Sequence, residues 1–323
     1  MKVHFPNSAH LQNLGAFINQ MVLSEPDQLA FSMHESWISV HPVVLSMTAC
    51  LAALVKHRGG ATQGQVNQIR ALAYPIRMGL FRFLELDPGR TITAHEESGR
   101  FVPLTQIHTS AQLREAITNL VPLLHAPKEV ADSIRYVFSE MVRNVIEHAA
   151  SPVGAFVCAQ YYKNTNRISI GIADAGVGIL ATISRSHAAH TSREAITLAL
   201  QPGVTGATSR IGGNEFNAGA GLFFTKSIAA LSKNLFVLYS GDAMFKLLRG
   251  SEKEPPSLHA DPKLDNHRFV EGLPAWPGTV VGIDINIDQG GDFPQLLDSI
   301  RKAYSLDVKR RRKAYYKAIK FVK

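Results

Sequence analysis

The sequence has few cysteines and no long apolar run. Its two cysteines, Cys50 and Cys158, lie far apart in the chain, which excludes a disulfide framework and a cysteine-based zinc site. We expect two buried free thiols in a reducing cytoplasm. The longest apolar run, from Val43 to Val55, is shorter than the roughly 20 residues needed to span a bilayer. The first residues also lack the apolar core of a signal peptide. The sequence therefore predicts a cytoplasmic protein without a membrane span.

Acidic residues are missing from the end of the chain. Residues 309–323 carry eight Lys and Arg and no acid, which equals the whole net charge of +8. The remaining body is neutral, which argues against a broad DNA-binding face. The basic tail could still contact a nucleic acid, an acidic partner or a membrane surface. A solvated helix that docks elsewhere is an equal alternative. We predict a C-terminal basic helix over 291–323.

The chain is long and apolar enough for two domains. It has 323 residues, of which 46% are hydrophobic and 19% charged, so disorder is excluded. His125-Ala-Pro127 predicts a boundary between a smaller N-terminal α/β domain (1–125) and a second domain (126–290). The predicted fold class is α+β.

One predicted helix, over 128–150, carries two different stripes. Val137, Met141 and Val145 belong to an apolar stripe, as in a helix that packs on a core. A second, polar stripe contains Glu140, Asn144, Glu147 and His148. A solvated helix face is the common explanation of such a stripe. However, asparagine is a poor residue for a helix interior, and its position between two glutamates suggests a chemical role.

Three glycine-containing motifs follow this helix. Asp174-x-Gly176-x-Gly178 comes directly after a predicted strand, Gly219-x-Gly221-Leu222 opens a predicted helix, and Gly278-Thr279 begins the last strand. Each motif alone is typical of an ordinary turn or helix start. Glycines before a helix also leave backbone N–H groups accessible to a phosphate.

In this order and context, the four motifs resemble the ATP-binding domain of the GHKL superfamily, which includes gyrase, heat-shock chaperones, histidine kinases and MutL. The resemblance covers roughly residues 128–288. It implies a two-layer α/β sandwich of the Bergerat type with a mixed, mostly antiparallel sheet. Neither a Walker-type phosphate loop nor a Rossmann fingerprint is present.

The resemblance implies ATP and Mg²⁺ as cofactors and gives each matching residue a role. Asn144 would coordinate Mg²⁺, and Asp174 would accept a hydrogen bond from the adenine amino group. Thr279 would support the same edge of the base. Glu140 would be the catalytic residue that orients or deprotonates the attacking group. The other implied nucleotide-binding residues are His148, Gly176, Gly178, Gly219, Gly221 and Leu222.

The resemblance also implies a lid over 179–218 that closes on ATP. Between two later strands, residues 245–277 are polar and contain prolines. We predict that this insertion is a mobile loop.

The helical motif from Glu140 through Asn144 to His148 is most similar in form to the anti-sigma-factor serine kinases. Those kinases act on STAS-type partner domains. Residues 37–55 have a similar strand–turn–helix outline, so the N-terminal domain could be STAS-like, with regulatory or partner-docking function. An ordinary buried helix after a strand is at least as good an explanation. The acceptor serine of such partners is missing, because His41-Pro42-Val43 stands at the turn.

Other GHKL activities fit the sequence less well. A sensor histidine kinase needs a phosphorylatable histidine on a helical hairpin, and gyrase-like, MutL-like or chaperone machines need further domains. We therefore expect a regulatory protein that binds Mg-ATP and hydrolyses it or phosphorylates a protein partner. The alternative is an ATP-gated protein-binding module without turnover. The presence of Glu140 favours the enzyme. The resemblance also allows a homodimer.

Overall fold

A computed structural model of the chain has an α+β fold with two sheets, which confirms the predicted class. It describes residues 1–25, 27–90, 101–120, 128–208, 220–251, 253, 257–286 and 293–320. Within these ranges the strands are Lys2–Phe5 (β1), Gln28–Met33 (β2), Ala61–Gly64 (β3), Phe101–Ile107 (β4), Ala155–Tyr162 (β5), Arg167–Asp174 (β6), Phe236–Gly241 (β7), Ala243–Leu247 (β8), His267–Val270 (β9) and Trp276–Asn286 (β10). The α-helices are Leu14–Asn19 (α1), Pro42–His57 (α2), Ala73–Arg77 (α3), Leu80–Leu84 (α4), Ser110–Leu120 (α5), Lys128–Asn144 (α6), Gly178–Ile183 (α7), Ser192–Ala199 (α8), Gly221–Leu231 (α9) and Phe293–Lys320 (α10).

The larger sheet has seven strands in the order β4-β5-β6-β10-β7-β8-β9. Its six described ladders are all antiparallel, so the prediction of a mixed sheet was wrong in this respect. The smaller sheet has the order β1-β2-β3 and is parallel. Within the part of the chain that the structure describes, the parallel ladders lie between strands of residues 2–64.

The strand β6, third in the order of the larger sheet, is buried on both faces. Ile168, Ile170 and Ile172 belong to a core that they share with the helices α6, α7 and α9. On the other face, Gly171 lies so close to α2 that an added Cβ would be 2.2 Å from the backbone nitrogen of Val43. The small residues that alternate with the isoleucines in this strand therefore face a closely packed helix. They do not form a solvent-exposed face of the sheet.

The helix α2 lies between the two sheets and is apolar around its whole circumference. Thirteen of its 16 residues are buried, as expected for a helix with core on all sides. This confirms the buried helix predicted for 43–55. Despite this apolar character, none of the helices described here has the length and hydropathy required to cross a membrane.

A buried polar contact connects the start of α2 to the larger sheet. His41 Nδ1 accepts a hydrogen bond from the Val43 amide at 3.1 Å, and Nε2 lies 3.2 Å from Asp284 Oδ1 on β10. Ser169 on β6 donates to the same carboxylate at 2.5 Å. Because His41 is only 2% exposed, its side chain offers no surface to a partner.

Two segments differ from the domain organisation that the sequence suggested. The strand β4 precedes the predicted boundary at residue 125 but pairs with β5 in the larger sheet. The predicted insertion 245–277 contains the end of β8 and all of β9, which continue the sheet beyond β7. The mobile-loop interpretation was therefore wrong for these residues, because short strands between polar turns gave little periodic signal.

A buried ion pair attaches the segment before β9 to α9. Lys226 Nζ donates to Asp265 Oδ2 at 2.5 Å and to the His259 carbonyl at 2.9 Å. The two side chains are 0% and 2% exposed. Burial lowers the pKa of Lys226 and raises that of Asp265, and the opposite charge of the partner counteracts each shift.

Replacing Lys226 with methionine should lower the free energy of unfolding by about 3–5 kcal/mol, because Asp265 would keep a buried, unpaired charge. Urea denaturation measures the loss. The exposed pair Lys56–Glu85 provides a matched control, and Lys56→Met should cost less than about 1 kcal/mol. Equal losses at the two sites would contradict the assignment of a buried charge pair.

Candidate functional site

A cavity of about 340 Å³ lies between the larger sheet and the helices that cover it. Its walls come from α6, α7 and α9 on one side and from β6 and β10 on the other. Eight of the ten residues singled out from the sequence line it: Glu140, Asn144, His148, Asp174, Gly178, Gly221, Leu222 and Thr279. Gly176 is not part of the lining, and Gly219 lies outside the described residues.

The helix α6 brings the polar stripe to the cavity. Its apolar residues Val137, Met141 and Val145 are buried against the sheet. After Asn144 the helix widens into a π-helical turn over Val145–Ala149, and Ala150 ends it with a left-handed backbone (φ 47°). Such turns are rare and occur often at functional sites.

The first glycine motif is attached to the end of this helix. Val177 donates its amide to the Ala149 carbonyl at 2.7 Å. A Cβ on Gly176 would lie 2.1 Å from the same carbonyl oxygen. The absence of a side chain at Gly176 therefore allows α6 and the loop after β6 to meet, and so brings two of the four motifs into contact.

Replacing Gly176 with alanine should lower the free energy of unfolding by about 1–3 kcal/mol and widen the contact between α6 and the loop. Urea denaturation checks the size of this loss. Gly15 in α1 is the control, because an added Cβ there meets Met244 at 3.4 Å, an ordinary contact. Gly15→Ala should be neutral or slightly stabilising. A neutral Gly176→Ala would contradict the close approach.

Asp174 forms a deeply buried acidic group at the end of β6. It is 2% exposed, and its Oδ1 accepts the Gly176 amide at 2.7 Å. Burial raises the pKa of Asp174 to about 7, although hydrogen bonds from the backbone amides of Gly176 and Thr279 oppose the shift. A buried carboxyl group beside a cavity can accept a hydrogen bond from a ligand donor.

The Gly278-Thr279 motif packs directly on Asp174. Gly278 has φ 135°, and a Cβ there would lie 2.6 Å from Asp174 Oδ1. Ser240, at the end of β7, donates to the Gly278 carbonyl at 2.6 Å and accepts the Ile179 amide at 2.9 Å. Ser240 thus links the second and fourth motifs. No sequence pattern pointed to Ser240, because a serine near the end of a strand is common.

Glu140 and Asn144 lie beside the start of α9. A Cβ on Gly221 would lie 2.9 Å from Glu140 Oε2 and 3.4 Å from the Asn144 amide nitrogen. Among the described residues, no side chain caps the amino end of α9, so its first backbone N–H groups have no side-chain partner. With Ala220, Gly221 and Leu222 in the cavity wall, this helix start has the chemistry to bind an anion.

The charges around Glu140 have opposing effects. Burial raises the pKa of Glu140, Arg143 lowers it, and Glu147 raises it. Arg143 Nη1 lies 3.4 Å from Glu140 Oε1 and also lines the cavity. Arg143 is one of the wall residues that the sequence analysis did not single out. His148 lines the cavity too, with Nε2 3.8 Å from Glu147 Oε2.

The segment predicted as a lid is partly core. Ile179, Ile183, Ala195 and Ile196, on α7 and α8, are buried in the same core as β6. The sequence analysis interpreted residues 179–218 as a lid and did not predict α7. Closure of that segment over ATP stays a prediction, and residues 209–218 lie outside the described part of the chain.

The described residues contain no group of three His, Cys, Asp or Glu placed to hold a metal ion. Asn144, the one metal ligand that the resemblance implies, lies in the cavity wall and has an amide oxygen, a donor that suits Mg²⁺. The donor set therefore fits an ion whose remaining ligands come with a bound phosphate group or from water.

Comparisons with known proteins do not extend this description. No family model matches the chain, and no curated protein matches it.

Proposed function

We propose that the cavity binds Mg-ATP and that the protein hydrolyses ATP or transfers its γ-phosphate to a protein partner. The observation that carries this proposal is the convergence of four separate motifs on one cavity, from Glu140 on one side to Thr279 on the other. The GHKL-type fold assignment is part of the proposal. An antiparallel sheet with α6 and α9 on one face supports it.

Asp174 is the group proposed to recognise adenine. The exocyclic amine of adenine is a donor, and a buried carboxylate is an acceptor that a hydrophobic wall cannot replace. The closely packed backbone of Gly176 and Gly278 holds the carboxylate in place. Thr279 lies in the same wall and supports the same edge of the base.

The start of α9 and Asn144 are proposed to hold the phosphates and their metal ion. The uncapped N–H groups and the positive end of the helix dipole attract phosphate. Asn144 would contribute its amide oxygen to Mg²⁺, which supplies charge neutralisation to the phosphates when bound. Gly221 leaves room between α9 and the polar stripe of α6, which a side chain would occupy.

Glu140 is proposed to take the proton from the attacking group. An oxygen of water or of a partner hydroxyl would bond to the γ-phosphorus while the bond to the β–γ bridging oxygen breaks and ADP leaves. Burial raises the pKa of Glu140 and thereby strengthens it as a base, while the positive charge of Arg143 opposes that rise in pKa. A module that only senses ATP would not need this carboxylate, so Glu140 favours the enzyme over the ATP-gated binding module.

Incubation with Mg²⁺ and γ-labelled ATP tests the proposal, with free phosphate and labelled protein followed together. Free phosphate indicates hydrolysis, and label on the chain or on an added partner indicates phosphotransfer. Nucleotide binding with neither product would favour the ATP-gated module. Absence of nucleotide binding would contradict both forms of the proposal.

A further inference from the structure

The helix α10 has two chemically different faces. One face packs on the protein through the buried residues Ile300 and Val308. On the same face, the ring of Tyr304 lies 6.2 Å from that of Phe223 and 6.0 Å from that of Phe224, both on α9. The apolar side of the helix is therefore used for packing within the protein.

Arg311, in the second half of α10, forms hydrogen bonds with the loop after α8. Its guanidinium donates to Gln201 Oε1 at 2.7 Å and to the Pro202 carbonyl at 2.5 Å. It also lies 3.2 Å from Asp307, which is buried. These contacts hold the helix in one orientation, so that its other side faces solvent.

The solvent-facing side of α10 is basic. Lys302, Lys309, Arg310 and Lys313 are exposed, with spacings of seven, one and three residues that keep them on one side of a helix. Lys317 and Lys320 continue the same spacing in the sequence. At 1.5 Å per residue, the four exposed residues from 302 to 313 extend over about 17 Å, comparable to about five base pairs of duplex. We call Lys302, Lys309, Arg310 and Lys313 the basic stripe.

Few acids offset the basic stripe. Asp307 lies 3.1 Å from Arg310 and 3.2 Å from Arg311, so one carboxylate serves two guanidinium groups. Asp298 pairs with Lys302 at 2.7 Å. Lys309 and Lys313 have no acidic residue at the helix positions three or four away. The stripe therefore keeps a net positive charge on a body that is otherwise neutral.

We propose that the basic stripe binds the sugar–phosphate backbone of a nucleic acid. A row of fixed cations matches a regularly spaced line of phosphates and releases their counterions. An anionic membrane would need an apolar face beside the charges, yet the described apolar residues Ile300, Tyr304 and Val308 of α10 pack on the protein. Among the described side chains of α10, Leu306 is the one large apolar residue that is exposed. This proposal does not depend on the nucleotide chemistry of the cavity.

Fluorescence anisotropy with a labelled duplex of about 20 base pairs and a matching single strand tests the proposal. The full chain should bind at about 50 mM salt and lose affinity steeply by about 200 mM. The triple variant K309Q/R310Q/K313Q should bind at least tenfold more weakly. Its slope of log affinity against log salt should be smaller by about 2 to 3 for the duplex. Tighter binding of one probe identifies the form of nucleic acid.

The control variant K2Q/K163Q/R268Q removes three exposed charges from other surfaces. It should retain duplex binding within about threefold. Thermal unfolding of both variants shows whether they stay folded, which is expected because all six side chains are exposed. Vesicles containing phosphatidylserine form a third arm. No duplex or single-strand binding at low salt, equal losses in both variants, or preferential binding to vesicles would overturn the proposal.

Discussion

Replacing Glu140 with glutamine is expected to lower ATP turnover by at least about 100-fold while ATP affinity changes by less than about threefold. Glutamine has nearly the same shape, but its amide cannot accept a proton from the attacking group. Glu140 is partly buried in the cavity, and Arg143 Nη1 lies 3.4 Å from its Oε1. Turnover is measured as labelled phosphate released or transferred, and affinity by calorimetry.

Glu147 provides the matched control for this change. It lies on the same helical segment and lines the same cavity, but its side chain is 47% exposed. Glu147→Gln should leave turnover within about threefold of the unchanged protein. Comparable losses in the two variants would show that general charge loss, and not proton transfer at Glu140, explains the effect.

ATP affinity is expected to fall as the pH drops below about 7, because Asp174 must be ionised to accept the adenine amine. Burial raises the pKa of Asp174 to about 7, against the hydrogen bonds from Gly176 and Thr279. Between about pH 8 and pH 5.5, linkage predicts an affinity loss of about 30-fold. Calorimetric titrations across this range measure it.

The Asp174→Asn variant separates this effect from the titration of ATP itself. It should bind ATP at least about tenfold more weakly at pH 8. Its ATP affinity should also lack the part of the pH dependence that comes from protonation of Asp174. The phosphate groups of ATP titrate equally in both proteins. If the two affinity curves run parallel between pH 5.5 and 8, Asp174 does not contact the base.

The Asp174 carboxyl group should also make the free energy of unfolding depend on pH. Its folded pKa lies above the unfolded value of 3.8, so the folded state retains the proton longer. The stability that this provides is complete below pH 3.8 and is lost as the pH rises through about 7. Relative to Asp174→Asn, the protein should lose about 1.4 kcal/mol of unfolding free energy per pH unit within that interval. Urea denaturation at pH 5 and 8 checks the sign.

The sequence predicted the parts of the site that depend on local pattern. The helix with Glu140 and Asn144, the strand ending at Asp174 and the helix start at Gly221 all have strong periodicity or glycine signals, and all lie where their order suggested. Their convergence on one cavity follows from the antiparallel pairing of β6 with β10, which places Asp174 beside Thr279.

Other features depend on contacts between distant residues and could not be predicted. The alternation in β6 suggested one buried face, whereas Gly171 packs on α2 across the sheet. Ser240 connects two motifs only because β7 pairs with β10. The π-helical turn after Asn144 is stabilised by the loop after β6 through Val177. The local pattern of a single sequence does not indicate which distant residues will be in contact.

Calorimetric titration with Mg-ATP and Mg-GTP is the most direct test of adenine recognition by Asp174. Guanine carries an acceptor oxygen where adenine carries the amine, so it would face the carboxylate with the wrong polarity. We expect saturable ATP binding with one site per chain, and GTP binding at least about 100-fold weaker. ATP binding that fails to saturate at millimolar concentration, or equal affinity for the two nucleotides, would contradict the proposed adenine site.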